Sequence, residues 1–205
     1  HHRDHRHRDP VARLADGLLE AWRSWGELPH LPARIVHGDL KVSNVRFSGP
    51  EARALIDLDT LGRGTLDAEL GDALRSWCNP AAEDEAPCFD LERFTAAMTG
   101  YATACTEAAR GGRGGPTEAE WAALVPGIER IALELAARFA TDALEERYFG
   151  WDPARYATRA EHDLARARGQ AALAAAVRRA AGEARRQLGE ARAAASPPPR
   201  APAGR

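Results

Sequence analysis

All the β-type sequence of this chain is confined to one short window, and the chain beyond that window reads as helix. Arg34-Ile35-Val36, Val45-Arg46-Phe47 and Ala54-Leu55-Ile56 are short, apolar pieces of strand type. From about residue 66 the apolar positions recur at helical spacing. That distribution predicts a mainly α domain with a small β-hairpin, α+β in class. The 205 residues suffice for one domain with a sizeable core, and the balance of 44% hydrophobic and 28% charged residues is that of a soluble globular protein. A net charge of -2 provides no overall basic field for nucleic acid. No apolar run approaches the ~20 residues of a membrane-spanning helix, and the N-terminus lacks the apolar core of a signal peptide. Cys78, Cys88 and Cys105 form no CxxC pair and fit reduced thiols. A cytoplasmic location is therefore expected, without nucleic-acid or membrane partners.

The helical pattern can be divided further. Asp9-Pro10 reads as an N-cap with proline at the first helical position, opening a helix over 10–25 with Val11, Leu14, Ala15, Leu18, Trp22 and Trp25 on its apolar face. Both tryptophans are expected in the core. Gly26, Pro29 and Pro32 mark a loop over 26–33. Asp90 to Ala109 is the next clear helix, and Arg110 to Pro116 a glycine-rich break. Thr117 followed by Glu120 has capping-box spacing, with helices expected over 118–146 and 160–194, separated by Gly150-Trp151-Asp152-Pro153. The Ala- and Arg-rich stretch 171–194 is expected to be a solvated helix closing the domain. Residues 1–9, with four histidines, and 195–205 are expected to be disordered tails around a domain over 10–194.

The segment 35–59, IVHGDLKVSNVRFSGPEARALIDLD, carries the chemistry. Its two apolar runs flank the turn-rich Ser48 to Arg53, which is a hairpin signal. If Phe47 pairs opposite Ala54, the antiparallel register places Asn44 beside Asp57 at the open end. Asp39 lies in the loop leading to that end. An amide oxygen and a carboxylate are hard ligands suited to Mg²⁺, which completes its shell with water and phosphate. A further carboxylate can accept a proton from an attacking hydroxyl, which is what phosphoryl transfer asks of a protein. Of the 28 basic residues, 27 are Arg and one is Lys. That lysine, Lys41, stands two residues after Asp39, within reach of a transferring phosphoryl.

His37-Gly38-Asp39-Leu40-Lys41-Val42-Ser43-Asn44 resembles the catalytic loop of the aminoglycoside phosphotransferase family, which is similar to protein kinases in fold, and Ile56-Asp57 resembles that family's metal-binding motif. The resemblance implies that Asp39 is the catalytic base, assisted by Lys41, and that Asn44 and Asp57 hold Mg²⁺. It also implies that His37 braces the loop, and that Asp72, in Leu70-Gly71-Asp72, bonds to the loop backbone. ATP is the implied phosphoryl donor and a small-molecule hydroxyl the acceptor.

Ile56 to Thr60, Leu133 to Phe139 and Glu161 to Gln170 are similar to the N-acetylhexosamine 1-kinase branch, so that the resemblance spans roughly 33 to 175. It implies acceptor-site roles for Arg138 and Tyr148, and for Glu134, which shares a helix face with Arg138. A sugar or aminoglycoside-like acceptor is expected. The sequence departs from that branch at Glu69, where an aspartate is usual, and at Gly62-Arg63-Gly64, which replaces a proline-containing turn.

No lysine precedes His37, and the residues before it read as tail, helix and loop. A kinase of this type also needs a phosphate-covering loop and a strand lysine. The expectation is therefore a C-terminal lobe of a protein-kinase-like fold with the N-terminal lobe absent, inactive alone. The alternative is a non-catalytic kinase-like binding or regulatory module.

Overall fold

The first helix, α1 (Arg8–Arg23), is followed by a short strand β1 (Arg34–Val36), a hairpin of β2 (Val45–Ser48) and β3 (Glu51–Leu55), and a strand β4 (Gly62–Gly64). Four helices follow among the described residues: α2 (Leu66–Trp77), α3 (Leu91–Arg110), α4 (Glu118–Glu145) and α5 (Arg159–Ala195). This computed structural model describes residues 4–25 and 30–196. Residues 1–3 and 197–205 of the expected tails, and half of the expected loop, 26–29, lie outside the described residues. Helix predominates, with two separate two-stranded antiparallel sheets, β1 with β4 and β2 with β3.

The start of α1 differs from the expected one. His7, not Asp9, is the N-cap, without a side-chain cap bond, and Asp9 sits in the first turn. Its charge there faces the positive end of the helix. Pro10 is accommodated because the first four helical N–H groups have no intrahelical partner to lose. Arg6 donates to the Thr158 hydroxyl at 2.5 Å and pairs with Glu161, so chain ahead of α1 is tied to the start of α5.

The hairpin register also differs. Val45 pairs with Leu55 and Arg46 with Ala54, but Phe47 pairs with Ala52. Arg53 is the extra residue of a bulge, which tightens the turn to Gly49-Pro50 and moves the pairing by one residue. Asn44 therefore faces Ile56, whose N–H donates to the Asn44 carbonyl at 3.0 Å, and Asp57 lies one residue beyond. β4 was not foreseen, because Gly62-Arg63-Gly64 has none of the β-branched character of a strand; it forms by pairing Arg63 opposite Ile35.

The core lies where α2, α3, α4 and α5 meet, around Leu74, Phe94, Met98, Leu124, Ile128 and Leu173. Each such side chain, removed from water, contributes ~1.5–3 kcal/mol. The crossing of α2 and α4 is close because both helices present glycine: a Cβ on Gly71 would lie 2.7 Å from the Gly127 carbonyl oxygen, and one on Gly127 would overlap the Asp67 carbonyl. Arg130 of α4 reinforces the crossing by donating to Asp67 at 2.8 Å. α4 starts in the expected capping box. The Glu120 N–H donates to the Thr117 hydroxyl at 3.2 Å, and the Thr117 N–H to the Glu120 carboxylate at 2.7 Å.

Along α5 the inner face buries Leu173, Val177, Leu188 and Ala191, and Arg186 pairs on the outer face with Glu183 and Glu190. Trp22, expected in the core, is 41% exposed. It borders an apolar cavity of about 570 Å³ between α1 and α4, together with Leu18, Leu19, Leu133 and Leu144. Cys78, Cys88 and Cys105 are free thiols. No described helix is long and apolar enough to cross a membrane.

Candidate active site

The loop between β1 and β2 is pinned from three sides. From α2, one carboxylate, that of Glu69, accepts the His37 N–H and the Gly38 N–H, each at 2.9 Å. From the 3-10 turn Leu58–Thr60, the Thr60 hydroxyl donates to the His37 carbonyl at 2.7 Å. From the last residue of α2, the Trp77 indole donates to the Leu40 carbonyl at 2.9 Å. Gly38 has φ +81, and a Cβ there would stand 2.8 Å from the Thr60 carbonyl oxygen, so glycine is required on both counts.

His37 is buried, and its Nε2 donates to the Ile56 carbonyl at 2.9 Å. The peptide of residue 56 is thus clamped, its N–H on Asn44 and its carbonyl on His37. The chain then turns sharply, and Asp57 takes a left-handed conformation with φ 67. Such backbone is costly for a non-glycine residue and persists only where its surroundings enforce it. Asp57 is exposed and begins the 3-10 turn.

Within the loop, Asp39, Lys41 and Asn44 are brought together. Lys41 Nζ donates to Asp39 Oδ2 at 2.6 Å, and Asn44 Nδ2 donates to the same oxygen at 3.0 Å and to the Asp39 carbonyl at 2.8 Å. Both donors fall on Oδ2, so Oδ1 has no hydrogen-bond partner among the described residues. The hydrogen bond to Asp39 holds the Lys41 ammonium above its ordinary pKa against partial burial, and the charges of Asp39, Asp57 and Asp72 add to that effect. Lys41 is charged at neutral pH and sits among three carboxylates.

Asp72 does not brace the loop backbone as expected. Its carboxylate receives Arg75 Nη2 at 2.6 Å, and the backbone bonds belong to Glu69, one helical turn earlier. Glu69 stood out only as a departure from the usual aspartate. Its longer side chain reaches two amides, a signal that residue type alone does not carry. Thr60 and Trp77 were likewise missed, because single donors to loop carbonyls leave no pattern.

The residue types fit a magnesium site of the expected kind. Asn44 spends its N–H₂ on Asp39, which leaves its Oδ1 for a cation, and Asp57 adds an exposed carboxylate one residue from its neighbour Ile56. Two hard oxygen ligands suit an ion that keeps water and phosphate in its shell. Among the described residues no group of three or more His, Cys, Asp or Glu is gathered as a self-sufficient metal cage.

Glu134, Arg138 and Tyr148 line one cleft of about 490 Å³ at the C-terminal half of α4, with Thr141, Asp142 and Phe149. Glu134 and Arg138 share a helix face but form no ion pair among the described residues. Arg138 instead reaches the Tyr148 hydroxyl at 3.4 Å, its guanidinium 5.6 Å from the Tyr148 ring centre and 5.5 Å from that of Phe149. That separation is within the range of cation–π attraction.

Residues 1–102, about half of the chain, match the model of the phosphotransferase enzyme family APH. A homoserine kinase of Pseudomonas aeruginosa (strain UCBPP-PA14) is 34% identical over 91 residues, 44% of this chain and 28% of that protein. A homoserine kinase of Rhizobium johnstonii (strain DSM 114642 / LMG 32736 / 3841) is 30% identical over 94 residues, 46% of this chain and 26% of that protein. The chain therefore spans about a quarter of the length of the curated relatives it matches. The family match contains the pinned loop, Asp57 and α2, and stops short of the Arg138 cleft. Through that segment the chain belongs to the phosphotransferase enzyme family.

Proposed function

We propose that this chain supplies the catalytic loop for transfer of the ATP γ-phosphoryl to a hydroxyl of a small molecule. One observation carries the reading: two donors converge on Asp39 Oδ2 and leave Oδ1 free to face an acceptor hydroxyl. In this role Asp39 orients the hydroxyl and takes its proton, which is worth ~10²–10⁴-fold in rate for a positioned base. Lys41 lies beside the same carboxylate and meets charge on the phosphoryl oxygens. Asn44 Oδ1 and Asp57 would hold Mg²⁺, which when bound neutralises phosphate charge. Glu69, Thr60 and His37 keep the loop rigid, so that little reorganisation remains at the reacting centre.

For the acceptor we propose the Arg138–Tyr148 cleft. A sugar is the first reading: Tyr148 is 70% exposed and flat, and Glu134 offers acceptors for hydroxyl groups. The two homoserine kinases favour a second reading, an amino acid bearing a hydroxyl, with Glu134 and Arg138 meeting its opposite charges. The sequence's one lysine is committed to Asp39, leaving none for the α- and β-phosphates of the nucleotide. We therefore expect the chain alone to bind magnesium–ATP and to turn it over only at background.

Titration calorimetry of the purified chain with magnesium–ATP tests this. Binding is expected in the wild type, weakened at least tenfold in Asp57→Ala. Wild-type binding that is unchanged in Asp57→Ala sinks the kinase reading of the site, and brisk turnover of ATP with any acceptor sinks the expectation of inactivity. Adding N-acetylhexosamines, an aminoglycoside and homoserine in turn separates the acceptor readings, because only the true acceptor should lose affinity in Arg138→Ala.

A further inference from the structure

Away from the catalytic loop, Asp142 and Asp163 form a buried carboxyl pair that phosphoryl transfer does not use. Asp142, near the end of α4, is 3% exposed and accepts three successive backbone N–H groups. Those of Arg147 and Tyr148 reach Oδ1 at 3.0 and 2.9 Å, and that of Phe149 reaches Oδ2 at 2.7 Å. Glu146, left-handed at φ 50, begins this turn at the end of the helix. One side chain therefore sets the position of Tyr148 and of Phe149, whose ring packs 4.4 Å from that of Phe139.

Asp163 of α5 lies within hydrogen-bonding reach of Asp142 and is 0% exposed. Its Oδ1 takes Arg166 Nη1 at 3.1 Å, and its Oδ2 is buried without a donor from any other group among the described residues. Two carboxylates are both acceptors, so the pair can bond only if one of them carries a proton. The three amides on Asp142 favour its charged form, which leaves the proton to Asp163.

We propose that Asp163 is a positioning residue that shares a proton with Asp142, and that this shared proton holds the Glu146–Phe149 turn in the place where it presents Tyr148 to the Arg138 cleft. With one negative charge, three N–H donors and the Arg166 guanidinium satisfy the pair. With two, Asp142 and Asp163 repel across a site that offers one guanidinium. The repulsion reaches the turn through Asp142, which holds the backbone N–H groups of residues 147, 148 and 149. Burial, and then the charge of Asp142, push the Asp163 carboxyl up to about 6. For Asp142 burial pushes the same way, but the three amides more than offset it and hold that carboxyl below its usual range. The other charged neighbours are satisfied elsewhere: Arg166 also donates to the Gly150 carbonyl at 2.7 Å, Arg159 to the Phe149 carbonyl, and His162 faces the Asp152 N–H and Asp84. The latch does not depend on the catalytic reading; its bearing on an acceptor does.

The test is a pH series of ¹H–¹⁵N spectra of the chain from pH 4.5 to 8, following the amides of Arg147, Tyr148 and Phe149. In the wild type they should move together with a midpoint near pH 6. In Asp163→Asn they should stay at their low-pH positions throughout. A turn that still titrates in Asp163→Asn would be reporting His162 and would overturn the proposal, as would a wild-type turn that does not move. Should Asp163→Asn fail to fold, Asp142→Asn and the wild-type side-chain carboxyl signal decide. The Asp163 midpoint should fall by a unit or more in Asp142→Asn, and a wild-type midpoint near that of an exposed aspartate overturns the proposal. If the turn titrates as expected while affinity for every acceptor stays flat over the same range, the latch stands and the acceptor reading of the cleft falls.

Discussion

Glu69 holds the loop at two points at once: its two oxygens take the amides on either side of His37, the N–H of His37 itself and that of Gly38. Charge-assisted bonds to backbone amides are about twice as strong as neutral ones. Glu69→Gln keeps the shape but can accept through only one oxygen, and its amide N–H₂ then faces a backbone donor. A loss of about 1–3 kcal/mol in unfolding free energy is expected, with faster amide exchange at Gly38 than at core amides. Equal exchange at both would show that the loop is held by other means. Gly38→Ala attacks the same point sterically. Its φ of +81 and the Thr60 carbonyl 2.8 Å from the new Cβ should together cost about 2–4 kcal/mol, read as a lowered urea midpoint at unchanged slope.

At the scale of elements, the strand that leads into the loop is anchored to α4 by Arg34, which donates to both carboxylate oxygens of the fully buried Glu120. The hydrogen bond from Arg34 comes first in holding the Glu120 carboxyl down to about 2, against its burial. A folded-state pKa below the unfolded one contributes stability that is fully present above about pH 5. It is lost as the pH falls toward 2. Glu120→Gln should therefore cost about 2–3 kcal/mol at pH 7, with the difference from wild type shrinking below pH 5 and largely gone only at about pH 2. A constant difference across that range would assign the loss to packing. The capping-box half of this site was legible from Thr117 and Glu120 alone, because a cap is local. Arg34 was not, because it lies 86 residues away. The same division runs through the fold. Helices, the hairpin and the Asp39–Lys41–Asn44 loop follow from short-range patterns and are legible as elements. The register was missed because a bulge at Arg53 leaves no mark in hydropathy, and β4 because a glycine-rich strand forms only when a partner is present.

For the whole molecule, stability against pH is a sum of opposed contributions, and only differences between variants separate them. Glu120, Asp84 and Asp142 are held below their ordinary values, so each contributes stability that is lost toward low pH. His7 and His162 are also held low, chiefly by burial, so protonating them below about pH 6 costs stability as well. Asp163 runs the other way. With its folded-state value up at about 6, the native state keeps a proton that the unfolded chain has already released. Its contribution is full below about pH 4 and is lost as the pH rises through 6. The size of that loss is on the order of 2–3 kcal/mol. Asp163→Asn cannot ionise. Its stability relative to wild type should therefore rise by that amount between pH 4 and pH 7, whatever constant penalty the substitution carries, and then level off. Urea denaturation at half-unit steps measures the difference directly. A difference that is flat with pH, or that falls, would mean that Asp163 is ionised in the native state throughout, and that Arg166 alone balances two buried carboxylates beneath the Tyr148 turn.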